Sequence, residues 1–156
     1  MRELCSPVLV VSSPAHNVMT AEPGGKPRLS RILCCADFSI NSERALKYAI
    51  SLAEEYGAEL TMFQVVEGAA GLTAGAGIMA ASTEPLDKLI SDNQRKHLNV
   101  RTAVRRGKPY EEIVGYAKEV QAHLGVMTAR GDALDRGSTT YRVIRSGPGP
   151  VLAIYT

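Results

Sequence analysis

Tryptophan is absent from this chain, and aromatic residues make up only 5% of its 156 positions. Neither sign of charge is in excess. The formal net charge is +2 and the basic residues are scattered, which gives no electrostatic footprint for nucleic acid. No apolar run approaches the ~20 residues that a membrane span needs. The opening Met1 to Val11 stretch is too short for a signal-peptide core, and Glu3 and Pro7 interrupt it. A cytoplasmic protein is expected. The three cysteines are Cys5, Cys34 and Cys35, and an odd count with two adjacent argues against a disulfide framework. No Cys/His spacing suggests a metal site. His16, His97 and His123 stand apart from one another and from any Ser or Cys in a recognisable catalytic arrangement. No G-x-x-x-x-G-K-[ST] loop is present, so efficient ATP hydrolysis lacks its usual parts. No catalytic residue is assigned, and weak hydrolysis is the most that is expected.

What the chain does contain is an alternation of strands and helices. The length suits one domain with a real core. Arg31 to Ala36 is a continuous apolar run, the mark of a strand buried on both faces, and Asp37 follows it. Neighbours on a strand point to opposite faces, so Cys34 and Cys35 are expected on either side of the sheet as buried thiols. Ser39 to Tyr56 carries apolar residues at helical spacing (Ala45, Leu46, Ala49, Ile50, Leu52, Ala53) and stops at Gly57. Glu59 to Val66 is a second strand. Gly68 to Ser82 is rich in Gly and Ala, a flexible excursion that serves as connector or lid. Thr83 opens a helix with Leu86, Leu89 and Ile90 on its apolar face. Val100 to Arg105 alternates and predicts an edge strand with one wet face. Pro109 to about Val120 is a helix with a stripe of Ile113, Val114, Ala117 and Val120. Leu124 to Thr128 is a buried strand, Ser138 to Ser146 the last helix, and Val151 to Tyr155 the last strand.

This order predicts an α/β fold, an open parallel sheet covered on both faces with right-handed crossovers. Ligands in such sheets sit at the carboxyl ends of the strands, at the switch point in strand order. Asp37 and the Met127 to Ser138 loop both follow strand ends and are candidate walls of one crevice. The loop runs from a strand through Gly131 to Gly137-Ser138-Thr139-Thr140 at a helix start. The free N–H groups and the helix dipole there suit an anion. Asp37 and Ser138 also suit plain helix capping, and that role is compatible with ligand contact.

The N-terminus carries an echo of the C-terminus: Ser6-Pro-Val-Leu-Val-Val11 beside Gly149-Pro-Val-Leu-Ala-Ile154. Residues 1–12 are therefore expected to supply an extra strand, 13–29 a flexible linker and 30–156 the main domain. The extra strand is expected to pair antiparallel with Val151–Tyr155, its own or a neighbour's.

Three blocks resemble the universal stress protein family. Ile32-Leu-Cys-Cys-Ala-Asp-Phe-Ser39 is similar to I-L-x-x-x-D-F-S. Arg105-Arg-Gly-Lys-Pro-Tyr-Glu-Glu-Ile113 is similar to R-x-G-x-P-x-x-E-I. Gly137-Ser-Thr, Val143, Arg145 and Gly149-Pro-Val-Leu are similar to the closing G-S-T…V-x-R…C-P-V-L. The resemblance implies a Rossmann-like sheet of the adenine-nucleotide alpha-hydrolase kind, with five strands in order 3-2-1-4-5, and a homodimer whose last strands pair. It reads the N-terminal echo as the last strand of a preceding domain of the same kind. It also implies ATP or AMP, with Mg²⁺, held through G-x2-G-x9-G-[ST]. Gly131 matches the middle glycine and Gly137-Ser138 the closing pair; Thr139, Thr140, Met127 and Arg130 complete that side. Ala36, Asp37 and Val65 match the adenine side. Thr128 stands where the first glycine belongs, and only five residues, Asp132 to Arg136, separate the glycines where the family has nine. His123-Leu-Gly-Val replaces the family's Asp-Leu-Ile-Val. Two functions follow: a dimeric stress regulator that binds nucleotide, or a nucleotide-blind dimerisation module with a degenerate phosphate loop.

Overall fold

The computed structural model describes residues 7–10, 29–35, 40–67, 88, 90–129 and 137–155. Its elements in chain order are β1 (Pro7–Val10), β2 (Arg31–Cys35), α1 (Ile40–Tyr56), β3 (Glu59–Val66), α2 (Asp92–His97), β4 (Val100–Arg106), α3 (Pro109–Glu119), β5 (Leu124–Ala129), α4 (Thr139–Ser146) and β6 (Val151–Tyr155). The Gly68–Ser82 excursion, the 13–28 part of the linker and the helix entry at Thr83 lie outside the described residues.

All six strands belong to one sheet, ordered β1-β6-β5-β2-β3-β4. Pairing is parallel throughout except at β1, which runs antiparallel to β6. Counted from β2, the five parallel strands have the expected order 3-2-1-4-5. The expected strand count was one short, because β1 joins the same sheet. It does so on β6 of its own chain, with Val8 opposite Ala153, Leu9 opposite Leu152 and Val10 opposite Val151.

Two apolar layers sandwich the sheet, and the period-2 alternation of each strand sorts its residues between them. One layer joins Ile32, Cys34, Leu60, Met62, Val126 and Ile154 to Ala45, Leu46, Ala49, Ile50 and Ala53 of α1. The other joins Leu33, Phe63, Met127 and Val151 to Ile113, Val114 and Ala117 of α3 and Val143 and Ile144 of α4, with Cys35 packed against it. Cys34 and Cys35 thus face opposite sides. Phe63 is fully buried and stacks on Tyr116 with ring centroids 4.5 Å apart. Truncating such a residue to alanine costs about 3–5 kcal/mol.

Local chemistry sets the element ends. Gly57 adopts φ +64, and the Ala58 N–H donates to the Ala53 carbonyl at 3.0 Å, which closes α1 with a left-handed cap. Pro109 opens α3 at a position where a missing N–H costs nothing. The apolar pattern Leu86, Leu89, Ile90 did not reveal that a separate helix begins at Ser91. There the Ser91 Oγ accepts from the Gln94 N–H and Gln94 Oε1 accepts from the Ser91 N–H, a reciprocal capping box. At the far edge, β4 carries Arg101, Arg105 and Arg106, and Arg101 pairs with Glu59 at 3.3 Å. Charged edge residues of this kind discourage pairing with other sheets.

Candidate functional site

β2 and β5 lie side by side and parallel. The chain leaves β2 toward β3 and β4 on one side, while β6 and β1 lie on the other. The strand order therefore reverses between β2 and β5, and their carboxyl ends flank the crevice where open α/β sheets bind ligands. β2 ends at Cys35, one residue before Ala36 and Asp37; β5 ends at Ala129, one residue before Arg130 and Gly131. These four predicted site residues lie outside the described residues. The remaining six are described.

The chain re-enters at Gly137 and starts α4. Ser138 is its N-cap, with extended backbone (φ −74, ψ 148), and its Oγ accepts from the Tyr141 N–H at 3.1 Å. The Arg142 N–H already donates to the Ser138 carbonyl at 3.1 Å. Of the first-turn donors, the N–H groups of Thr139 and Thr140 are left without an acceptor inside the helix. They point out of the positive end of α4. Thr140 is buried, and its hydroxyl donates to the Thr128 carbonyl at 3.4 Å, which ties the start of α4 to the end of β5. Thr139 is half-buried and Gly137 exposed. The structure thus brings Gly137, Ser138, Thr139 and Thr140 together beside the end of β5. Arg142 stacks over Tyr110 at 5.0 Å and links α4 to α3.

Val65 and Met127 occupy a different setting. Both belong to the layer beneath α3 and α4, where Met127 is 6% exposed and Val65 is partly covered. Their apolar bodies form the floor under the strand ends. An apolar cavity of ≈ 20 Å³ opens on this same layer, lined by Leu33, Ala117, Gly125, Met127, Val143 and Pro150 among others. It lies toward the start of β5 and β6, with Cys35 at the end of β2 also on its wall.

Burial pushes the Cys34 thiol up to about 12, and burial plus the neighbouring Cys34 pushes Cys35 up as well. Both are poor nucleophiles and poor metal ligands. Among the described residues, no group of three or more His, Cys, Asp or Glu side chains is placed to hold a metal ion. Nor is any helix among them long and apolar enough to cross a membrane.

His123 has a structural task that sequence reasoning missed. Its Nδ1 accepts from the Ser30 N–H at 3.1 Å and the Arg31 N–H at 3.2 Å, and its backbone N–H donates to the Arg31 carbonyl at 2.9 Å. It pins the entry of β2 to the entry of β5, at the opposite end of the sheet from the crevice. No local signal foretells this, because the partners are more than 90 positions away in sequence.

Residues 29–154 match the model of the universal stress protein family. The chain belongs to that family. A universal stress protein of Methanocaldococcus jannaschii is 30% identical over 143 residues, covering 83% of this chain and 84% of that protein. Among solved structures, the universal stress protein UspA from Lactobacillus plantarum is similar, with a TM-score of 0.65, 26% identity, and coverage of 81% of this chain and 98% of that one. A universal stress protein solved in complex with cAMP has a TM-score of 0.69 at 19% identity, with coverage of 83% and 99%. At that identity the likeness speaks for the fold. The family model begins at Leu29, so β1 stands outside the matched region.

Proposed function

We propose that this universal stress protein is a dimeric, cytoplasmic stress-response regulator that binds ATP or AMP, with Mg²⁺, at the carboxyl ends of β2 and β5. The observation that carries the reading is the start of α4. Ser138 caps the helix, and the Thr139 and Thr140 N–H groups remain aimed outward at its positive end. Charge-assisted hydrogen bonds there are worth roughly 1.5–3 kcal/mol each. Asp37 and Val65 would flank the base, with Gly131 and Arg130 on the phosphate side. A relative of the same fold was solved with cAMP, a ligand of the same chemistry.

A second reading, a nucleotide-blind module, rests on a specific feature: the β-branched Thr128 replaces glycine at the end of β5, and its carbonyl is engaged by Thr140. Thr128 cannot follow glycine into a left-handed backbone cheaply. Titration calorimetry with ATP and Mg²⁺, and separately with AMP, decides between the two. The first reading expects saturable binding to the wild type that is lost in Asp37→Ala and weakened at least tenfold in Ser138→Ala. Absence of heat at millimolar nucleotide leaves the module.

A further inference from the structure

One side chain is missing from the middle of the sheet. On the face beneath α3 and α4, Leu33 of β2, Gly125 of β5 and Val151 of β6 form one cross-strand row, with Gly125 directly opposite both neighbours. Leu33 and Val151 are buried, and Gly125 brings nothing to pack between them. A Cβ placed there would meet only the Val151 Cγ2 at 3.6 Å and the Pro150 carbonyl oxygen at 4.0 Å. Glycine inside a strand also costs backbone entropy. This chain has it where the Asp-Leu-Ile-Val block of the family has isoleucine. The helices do not refill the gap: Ala117 of α3, Ala122 in the turn after it and Val143 of α4 face it. The result is the apolar cavity of ≈ 20 Å³, above the roughly 10–15 Å³ that one water needs. It opens to solvent, because Gly125 is half-buried although β5 is an inner strand, and so is Cys35 on the same wall.

The mouth of the cavity is stiff. Its rim is Gly147-Pro148-Gly149-Pro150, in which two prolines fix two backbone φ angles. The Gly147 N–H donates to the Val143 carbonyl at 2.8 Å, and the Gly125 N–H donates to the Pro150 carbonyl at 3.0 Å, so the rim is tied to α4 and to β5. The space is preformed, and an occupant is spared the cost of ordering it. Among the described residues that line it, none carries a charge, and burial keeps the Cys35 thiol neutral. A buried water needs two to four polar partners. The two backbone groups best placed to serve one, the Gly125 N–H and the Pro150 carbonyl, already bond each other.

We propose that this cavity is a binding site for a small uncharged molecule with a short alkyl chain. The alkyl chain takes the place of the absent side chain, between Leu33 and Val151 and against Ala117 and Val143. A polar head on the same molecule stays in water at the Gly147–Pro150 rim. A carboxylate of equal length is rejected, because nothing in the lining offsets its charge. The site is separate from the N–H groups at the start of α4, and it stands whether or not nucleotide binds there.

1-Propanol and propionate compare an uncharged and a charged ligand of equal chain length, and methyl NMR of the full chain reads both titrations. 1-Propanol is expected to shift the methyls of Leu33, Ile113, Val143 and Val151 saturably, with half-saturation at roughly 1–100 mM, the range open to a ligand of four heavy atoms. The methyls of Leu46, Ile50 and Leu60, in the layer across the sheet, should stay still. Propionate should leave both sets unmoved. Gly125→Val refills the row and should abolish the saturable shifts. Gly125→Ala, the milder change, carries the test if the valine variant fails to fold, and should weaken binding about fourfold, the worth of one methylene. A response to 1-propanol that stays linear, equal shifts with propionate, or saturation unchanged by either substitution overturns the site.

Discussion

Replacing His123 by asparagine is expected to leave stability near neutral pH almost unchanged and to raise it in mild acid. Nδ1 accepts two backbone N–H bonds, so it carries no proton and the neutral ring is protonated at Nε2. Arg31 Nη2 lies 3.4 Å from that Nε2, a close approach of two donors, while its Nε donates to the Gln121 carbonyl at 2.9 Å. Burial, and then the Arg31 charge, hold the His123 pKa below its ordinary value of 6.5. Protonation would remove the acceptor and set a cation against Arg31. As pH falls below about 6.5 the unfolded chain takes up the proton before the folded one does, so the unfolded state binds more protons in that window. The contribution of the neutral ring is fully present above the unfolded pKa and is lost as pH falls toward the lowered folded value. Glu59, whose N–H donates to the Ser30 carbonyl and whose carboxylate pairs with Arg101, is the nearest acidic group on the adjoining strand.

Oδ1 of asparagine occupies the bonded position of Nδ1, one atom beyond Cγ, and accepts without titrating. His123→Asn therefore retains both bonds at every pH. His123→Ala removes both. At about 0.5–1.5 kcal/mol per hydrogen bond, with water reaching the exposed Ser30 N–H, the loss is about 1–2 kcal/mol at pH 8. For a chain of this length that is about 2–8 °C in Tm. Thermal melts of the three proteins at pH 8, 6 and 5 check the reasoning. The asparagine variant should match wild type at pH 8 and exceed it at pH 5, and the alanine deficit should shrink as pH falls. A difference between wild type and His123→Asn that stays constant from pH 8 to pH 5 refutes the coupling.

Gly125→Ala should stabilise the protein by about 0.4–1 kcal/mol in chemical denaturation, because alanine narrows the unfolded ensemble and its methyl enters the apolar cavity. The added Cβ would meet the Val151 side chain at 3.6 Å, an ordinary contact, and a destabilised variant would show that the cavity is filled. Cys34 should resist a disulfide reagent at pH 8 in a Cys5→Ser background, more strongly than the half-buried Cys35, and both should react fully once urea unfolds the chain. Burst labelling of Cys34 in the folded protein would contradict its burial and its raised thiol pKa.

The sequence reading succeeded where the physics is local. The bounds of β3 and β6 followed from apolar runs bracketed by glycine and proline, and the end of α1 from Gly57, whose positive φ needs that residue. The opposite faces of Cys34 and Cys35 followed from strand alternation alone. The start of α2 carried a readable signal, Ser91 three residues before Gln94, yet no apolar period follows it in Asp92–His97 to draw attention to it. β1 was legible for an unusual reason, its likeness to the strand it pairs with. Its presence in the same sheet still changed the strand count, because a five-strand pattern describes the matched region and β1 precedes it.

The hydroxyls of the candidate site were legible as residues, and two of them have tasks inside the fold that the sequence does not show. From the sequence, Ser138 suits both the cap of the last helix and a phosphate contact, with Thr139, Thr140 and the free N–H groups of the helix start beside it. In the structure, the Ser138 oxygen accepts from Tyr141 and the Thr140 hydroxyl donates to Thr128. Their work is to fix where α4 begins and how it meets β5. The donors available to an anion include the main-chain N–H groups of Thr139 and Thr140, which the helix start in the sequence already implies. It follows that Thr140→Val should weaken an anion by loosening the Thr128 junction rather than by deleting a ligand. Its penalty should therefore appear in the melting temperature as well as in nucleotide affinity. A variant that binds nucleotide at least tenfold more weakly with an unchanged Tm would show that the Thr140 hydroxyl itself contacts the ligand.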